Sequence, residues 1–235
     1  MSVCAVVPAG GTGIRMGGTV PKQFLELNGK PILYYTLKTL QDCGIISELI
    51  LVVPEKEYEN ACTDWLGKPE IVTKVVVGGE KRQDSVYNGF CELSPQTEIV
   101  LVHDGVRPFL SPRMIEESVD VAREYGAAIT AIPVYDTIKR VDTSGLVSQT
   151  VDREGLWRVQ TPQVFRYKLL KDAFKKANSE KFYGTDEGTL IEHLGKPVKV
   201  VEGSEQNIKI TRPEDLRLSE IFISNAFPGN KFPLK

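Results

Sequence analysis

Histidine is scarce in this chain. The only two, His103 and His193, lie far apart in sequence, so no His-based metal motif is on offer. The four cysteines, Cys4, Cys43, Cys62 and Cys91, have spacings that match neither a zinc knuckle nor a small disulfide framework, and they read as buried, reduced thiols. No apolar run reaches the roughly 18 residues that a membrane-spanning helix requires. The first residues pass directly into a strand-like run, with no basic leader segment and no export cleavage site, which makes a cytoplasmic protein the expectation. An excess of positive charge is also missing. Lysine and arginine total 29 against 31 acidic residues, a formal charge of -2 that offers no field for a polyanion such as nucleic acid, so any phosphate binding falls to local basic sites. Internal repeats and low-complexity stretches are absent as well.

What is present suits a folded α/β enzyme. A chain of 235 residues with 41% hydrophobic and 26% charged residues can bury enough apolar surface to offset its ordering entropy, and its length fits one α/β domain with an elaboration. Short apolar runs alternate with helix-length amphipathic stretches, the pattern of a mostly parallel sheet flanked by helices. Strands are predicted at Val3 to Val7, Glu48 to Val53, Thr73 to Val77, Ile99 to His103, Ala127 to Pro133 and Val198 to Val201. Helices are predicted at Pro31 to Cys43, Lys56 to Leu66, Arg82 to Leu93, Pro112 to Tyr125, Tyr167 to Asn178, Asp186 to Leu194 and Pro213 to Ile223. Pro112 after Ser111, Asp186 after Thr185 and Pro213 after Arg212 are the clearest helix starts.

The stretch Tyr135 to Trp157 breaks that rhythm. Strand-like arms, Thr137 to Val141 and Val147 to Val151, flank the turn signal Asp142-Thr143-Ser144-Gly145, which predicts an inserted β-hairpin. A lone hairpin is marginal in water, so this one packs either on a partner subunit or back on its own domain, and the sequence favours neither. Beyond Asn225, the run Phe227-Pro228-Gly229 contains too many breakers for an ordered element, which divides the chain into a domain over 1–225 and a tail over 226–235.

The first strand runs into Pro8-Ala9-Gly10-Gly11-Thr12-Gly13-Ile14-Arg15-Met16, followed by Pro21-Lys22-Gln23-Phe24. Small residues here let backbone amides approach and cradle phosphate oxygens. A Walker loop is excluded, because each Gly-Lys pair (Gly29-Lys30, Gly67-Lys68, Gly195-Lys196) is followed by proline. The dinucleotide fingerprint fails too, since Met16 occupies the place of the third glycine, and this disfavours a nicotinamide oxidoreductase. What remains is a glycine loop carrying two cations, Arg15 and Lys22, suited to neutralising charge at an attacked phosphorus. Downstream, His103-Asp104-Gly105 falls where a buried parallel strand ends, the usual ligand position in open α/β sheets. Arg107 has two equally good readings, as a phosphate anchor or as a pin for its own loop.

Ala9 to Met16 with Pro21 to Leu25 resembles the signature of the sugar-phosphate and polyol-phosphate nucleotidyltransferases. More motifs follow in that order: Gly78-Gly79-Glu80-Lys81-Arg82-Gln83-Asp84-Ser85-Val86-Tyr87-Asn88-Gly89, Val102 to Pro108, Asp136 to Arg140, Asp152-Arg153, Gln160-Thr161-Pro162-Gln163 and Asn207 to Thr211. Together they resemble the family of 2-C-methyl-D-erythritol 4-phosphate cytidylyltransferases over about Val3 to Ile223. Two variants, Ala9-Gly10-Gly11 and Asp104-Gly105-Val106-Arg107, lean toward the related ribitol-5-phosphate cytidylyltransferases. The longer Val151 to Trp157 and Gln83 to Val86 matches side with the isoprenoid enzymes. A non-catalytic nucleotide-binding protein of the same fold is a further alternative, although Arg15, Lys22 and Asp104 are all in place.

The resemblance implies a Rossmann-like α/β fold with the hairpin as a dimerisation arm, a homodimer, CTP and a small polyol phosphate as substrates, and Mg2+ bound mainly through the triphosphate. It implies that Arg15 and Lys22 stabilise the pentacoordinate transition state, with Arg153 and Lys209 counted beside them as catalytic cations. Pro8, Ala9, Gly10, Gly11, Thr12, Gly13, Gly79 and Ser85 would hold the nucleotide, and Asp104 the acceptor hydroxyls. Thr137, Lys139 and Arg153 would reach across to the neighbouring subunit's acceptor phosphate, where Lys209 completes the site. His193 and Trp157 read as packing residues.

Overall fold

Val3 to Val7 are all buried, and an apolar run with no polar face can only sit mid-sheet. The computed structural model describes residues 2–11, 20–62 and 70–226, and there this run is β1 (Val3–Pro8). The first half continues with β2 (Glu26–Leu27), β3 (Lys30–Pro31), α1 (Ile32–Asp42), β4 (Ile46–Val53), α2 (Tyr58–Cys62), β5 (Val72–Val77), α3 (Arg82–Cys91) and β6 (Ile99–Val102). The second half runs through α4 (Pro112–Tyr125), β7 (Ala127–Pro133), β8 (Ile138–Val141), β9 (Val147–Val151), β10 (Trp157–Arg166), α5 (Tyr167–Glu180), α6 (Glu187–His193), β11 (Lys199–Glu202) and α7 (Pro213–Ala226).

Seven strands form one sheet in the order β11-β7-β10-β6-β1-β4-β5. All pairings are parallel except those of β10, which runs antiparallel to both β6 and β7. Alternation along β1 divides the core. Val3, Ala5 and Val7 pack with Leu33, Leu37 and Leu40 of α1 and Met114, Ile115 and Val119 of α4, whereas Cys4 and Val6 face Val86 and Phe90 of α3 and Phe174 of α5. Helices thus cover both faces. A smaller cluster of Leu27, Tyr35, Val106, Phe109, Ile210 and Ile223 seats α7.

The chain lays β4 and β5 on one side of β1 and then returns to place β6 on the other. That reversal opens a crevice at the carboxyl ends of β1 and β6, where Pro8 to Gly11 and His103-Asp104 emerge.

The expected α/β architecture is present, with four differences. The long strand β10 is absent from the expected strands, since Gln160-Thr161-Pro162-Gln163 interrupts its apolar residues; the ladder to β7 shifts register between Val159 and Gln163 to pass Pro162. The helix expected from Lys56 to Leu66 is a short 3-10 turn (Glu55–Glu57) followed by α2, and residues 63–69 lie outside the described set. Asp186 is not the first helical residue but the cap of α6, accepting from Thr189 N at 2.8 Å. Of the cysteines, only Cys4 is fully buried; Cys62 and Cys91 close α2 and α3 on their solvent sides and are exposed, and all four are unpaired. The expected tail lies outside the described residues apart from Ala226, which extends α7.

The hairpin β8–β9 forms a two-stranded sheet of its own. Its arm, from Tyr135 to Trp157, exposes Tyr135, Val141, Leu146, Val147 and Trp157. That is a concentration of solvent-facing apolar side chains a monomer rarely keeps.

Candidate functional site

A cavity of about 310 Å³ opens at the crevice, lined by Pro8 at the end of β1 and Ala9, Gly10 and Gly11 after it, Lys22 and Gln23, Gly79 to Arg82, Ser85, Asp104, Val106 and Lys209. Lys22 sits on a one-turn 3-10 helix (Lys22–Phe24), and Gln23 ties that turn to the glycine loop by donating from Nε2 to the Ala9 carbonyl at 2.5 Å. The lysine is almost fully buried at the cavity wall. Opposite it, the loop before α3 folds tightly on itself. Ser85 Oγ accepts from Gly79 N at 3.1 Å and donates to the Lys81 carbonyl at 3.1 Å. A Cβ on Gly79 would fall 2.3 Å from Asp84 Cβ, so only glycine permits this approach.

A second cavity, of about 220 Å³, adjoins the first and shares Arg82, Asp104 and Lys209 with it. Its other walls are Arg107, Val159, Gln160, Thr161 and Gln163 of β10 or its approach, and Thr185 and Asp186 ahead of α6. Asp104 stands between the two. Its Oδ1 accepts from Arg82 Nε at 3.2 Å, and its Oδ2 meets Lys209 Nζ at 2.8 Å and Arg107 Nε at 3.5 Å. Burial alone would push this carboxyl up, but the Arg82, Lys209 and Arg107 charges overcome it and hold the group well below the usual carboxylate range. Over the two cavities the cations Lys22, Lys81, Arg82, Arg107 and Lys209 face the carboxylates of Glu80, Asp104 and Asp186, with Glu187 behind Arg82, a positive balance suited to phosphates.

His103, directly under Asp104, is fully buried. A carbonyl can only accept, so Nε2–H donates to the Arg107 oxygen at 3.1 Å. Nδ1 then accepts from the Thr161 hydroxyl at 2.9 Å, and the same hydroxyl accepts from Asp104 N at 3.1 Å. Burial pushes the imidazole down to about 4, the Arg107 carbonyl opposing, so His103 is a neutral spacer that fixes the Asp104 backbone. The unfolded chain, with a histidine near 6.5, binds more protons than the native one between pH 6.5 and about 4, so stability falls as pH drops through that window. The expected loss is about 3 kcal/mol. Comparing urea midpoints of wild type and His103→Asn at pH 7 and pH 4.5 isolates it; a difference that does not change with pH would remove this role.

Of the residues singled out in the sequence, Pro8, Ala9, Gly10, Gly11, Lys22, Gly79, Ser85, Asp104 and Lys209 converge on the first cavity, and Arg107 on the second. Thr12, Gly13 and Arg15 lie outside the described residues. Thr137, Lys139 and Arg153 are not brought to the crevice within one chain: they are exposed on the arm, with Lys139 Nζ donating to Thr150 Oγ1 at 2.6 Å and Arg153 donating to the Tyr135 carbonyl. Arg107 borders the second cavity, and its Nη1 pins not its own loop but the distant Asn207 carbonyl at 2.7 Å. His193 stacks on Phe182 with ring centroids 3.9 Å apart, away from the crevice. Sequence reasoning gave no role to Arg82, Thr161, Thr185 or Glu187. Arg82 and Thr161 lie within family motifs, but the pairing of their side chains is tertiary and leaves no local signal.

A glycine loop and a buried lysine at the switch point of a mostly parallel sheet, with two cavities meeting at one carboxylate, define an α/β nucleotidyltransferase. The chain belongs to the 2-C-methyl-D-erythritol 4-phosphate cytidylyltransferase family, whose model matches residues 3–225. Curated relatives of that name include the Syntrophus aciditrophicus protein, 46% identical over 224 residues that span 94% of this chain and 95% of the relative. The Pelotomaculum thermopropionicum protein is also 46% identical, over 94% of each chain. Among solved structures, the 4-diphosphocytidyl-2C-methyl-D-erythritol synthase of Anaerococcus prevotii matches with a TM-score of 0.82 and 34% identity, covering 95% of this chain and 98% of that one.

Proposed function

We propose that this chain joins CTP to 2-C-methyl-D-erythritol 4-phosphate, giving 4-diphosphocytidyl-2-C-methyl-D-erythritol and pyrophosphate. The observation that carries this reading is the pair of cavities meeting at Asp104, Arg82 and Lys209, one floored by the glycine loop and one walled by β10 and the approach to α6. The nucleotide occupies the first, its base toward Gly79 and Ser85 and its phosphates along Pro8 to Gly11, with the Thr12, Gly13 and Arg15 segment completing the loop. The acceptor occupies the second, its hydroxyls toward Asp104 and its phosphate toward Lys209 and Arg107. A phosphate oxygen of the acceptor attacks the α-phosphorus while Lys22 and Arg15 meet the charge that develops there.

Among the described residues no three His, Cys, Asp or Glu side chains converge as a ready-made metal cage. Mg2+ would be held mainly by the triphosphate oxygens, with Glu80 as the cavity carboxylate not already paired to Arg82, Arg107 and Lys209, and it would supply neutralisation of the phosphate charge. The exposed apolar side chains of the arm support a homodimer in which Thr137, Lys139 and Arg153 of one chain complete the acceptor site of the other. No helix among the described residues is long and apolar enough to cross a membrane, and the four unpaired cysteines suit a cytoplasmic setting.

Pyrophosphate release from CTP with each of two acceptors tests the reading. Methylerythritol phosphate is expected to support turnover at least ~10²-fold better in kcat/KM than ribitol 5-phosphate, because a site built to pair buried polar groups rejects an acceptor that leaves them unpaired. Preference for ribitol 5-phosphate would overturn the acceptor assignment, and equal rates with ATP, GTP and UTP the nucleotide assignment.

A further inference from the structure

Arg82, the first residue of α3, lines both cavities, yet two of its three nitrogens are already engaged. Nε donates to Asp104 Oδ1 at 3.2 Å, and Nη1 donates to both carboxylate oxygens of Glu187 at 2.8 and 2.9 Å. Nη2, with its two N–H donors, has no partner among the described residues. The side chain keeps 30% of its surface open, whereas Glu187 behind it keeps 1% and lines neither cavity.

Glu187 is itself immobilised. It opens α6, and its backbone N–H and that of Gly188 both donate to Gln163 Oε1 at 3.1 Å, which locks the helix start to β10. Gln83 adds a second latch, donating to the Phe182 carbonyl at 3.1 Å and accepting from Gly184 N at 2.9 Å. Burial pushes the Glu187 carboxyl up and the Arg82 charge draws it back. A carboxylate sealed from solvent with one cation is no stabilising bargain over a well-packed apolar pair, so its consequence lies in orientation: a chelated Nη1 fixes the plane and rotation of the guanidinium.

We propose that Arg82 is a further catalytic cation, held from behind by Glu187 so that its Nη2 donors meet the phosphate oxygens where acceptor and nucleotide join. The proposal rests on the cytidylyl-transfer reading above and deepens it. In that transfer an oxygen of the acceptor phosphate forms a bond to the α-phosphorus, the bond from that phosphorus to the oxygen bridging to the β-phosphate breaks, and pyrophosphate leaves with the electron pair. Charge is spread over oxygens at the junction of the two cavities, and a pre-aimed N–H pair there stabilises the transition state more than either bound substrate. Glu187 touches no substrate and acts as a positioning residue.

Steady-state kinetics of Arg82→Lys, Glu187→Gln and the double variant, each shown folded by circular dichroism and melting, test this. Arg82→Lys keeps the charge but loses the fork, and it is expected to lower kcat about 100-fold with KM for CTP within about threefold. Glu187→Gln is expected to lower kcat about tenfold. Because Glu187 acts only through Arg82, the double variant falls within about twofold of Arg82→Lys. Near-normal kcat in Arg82→Lys, or single losses that multiply in the double variant, overturns the inference. If Arg82→Lys does not fold, kcat in Glu187→Gln decides, and a wild-type value there overturns it. Wild-type protein that releases no pyrophosphate from CTP with methylerythritol phosphate overturns the functional reading instead, whatever the variants do.

Discussion

Lys22→Ala lowers kcat for pyrophosphate release by about 10²- to 10³-fold, or roughly 3 to 4 kcal/mol of barrier, while KM for CTP changes far less. The size of the effect follows from how the ammonium is held. Its short helical turn is tied to the glycine loop through Gln23 and the Ala9 carbonyl, and the side chain is almost wholly buried against the cavity. Such a charge needs no reorganisation when the phosphorus becomes pentacoordinate, which is what distinguishes it from a solvated surface lysine. Steady-state kinetics with CTP varied at saturating acceptor separate the two parameters. A raised KM with unchanged kcat would reduce Lys22 to a substrate anchor.

Arg153→Ala is also expected to abolish most activity, although Arg153 lies on the exposed arm and outside both cavities of its own chain. Mixing it with the Lys22→Ala chain restores activity if the arm serves the neighbouring site. A mixed dimer then holds one site with both residues intact and one with neither. Random exchange at equal amounts makes half the dimers mixed, so about a quarter of wild-type activity returns when the sites act independently. Subunit exchange is followed by a tag on one variant. Demonstrated exchange without recovery would place Arg153 and Lys22 in the same chain's site.

The central strands were legible because β1, β6 and Leu49 to Val53 of β4 are uninterrupted apolar runs, the pattern that burial on both faces demands. β10 was not. Its buried Gln160, Thr161 and Gln163 are inside because they hold Asn207, His103 and the start of α6, and no local periodicity encodes partners so distant. The same distinction runs through the site. Asp104 could be placed from its position at a strand end, and the glycine loop from its own composition. The Arg82–Glu187 pair joins residues 105 positions apart and exists only once α3 and α6 meet. The arm was legible as a hairpin, but its packing was not, since nothing in a two-stranded sheet states what covers it.

The antiparallel seam also sets an order of assembly. β1, β4, β5 and β6 can pair among themselves as soon as the chain has been made through Val102, and α1 and α3 are then available to cover them. β7 cannot join this block, because its only place is beyond β10, and β11 in turn pairs with β7. In chain order β7 is therefore an apolar strand without a neighbour until the arm has been passed and Trp157–Arg166 can seat it. A chain truncated between Pro133 and Trp157 would carry a four-stranded block with one orphaned strand, a form open to chaperones and proteases that the completed chain no longer offers.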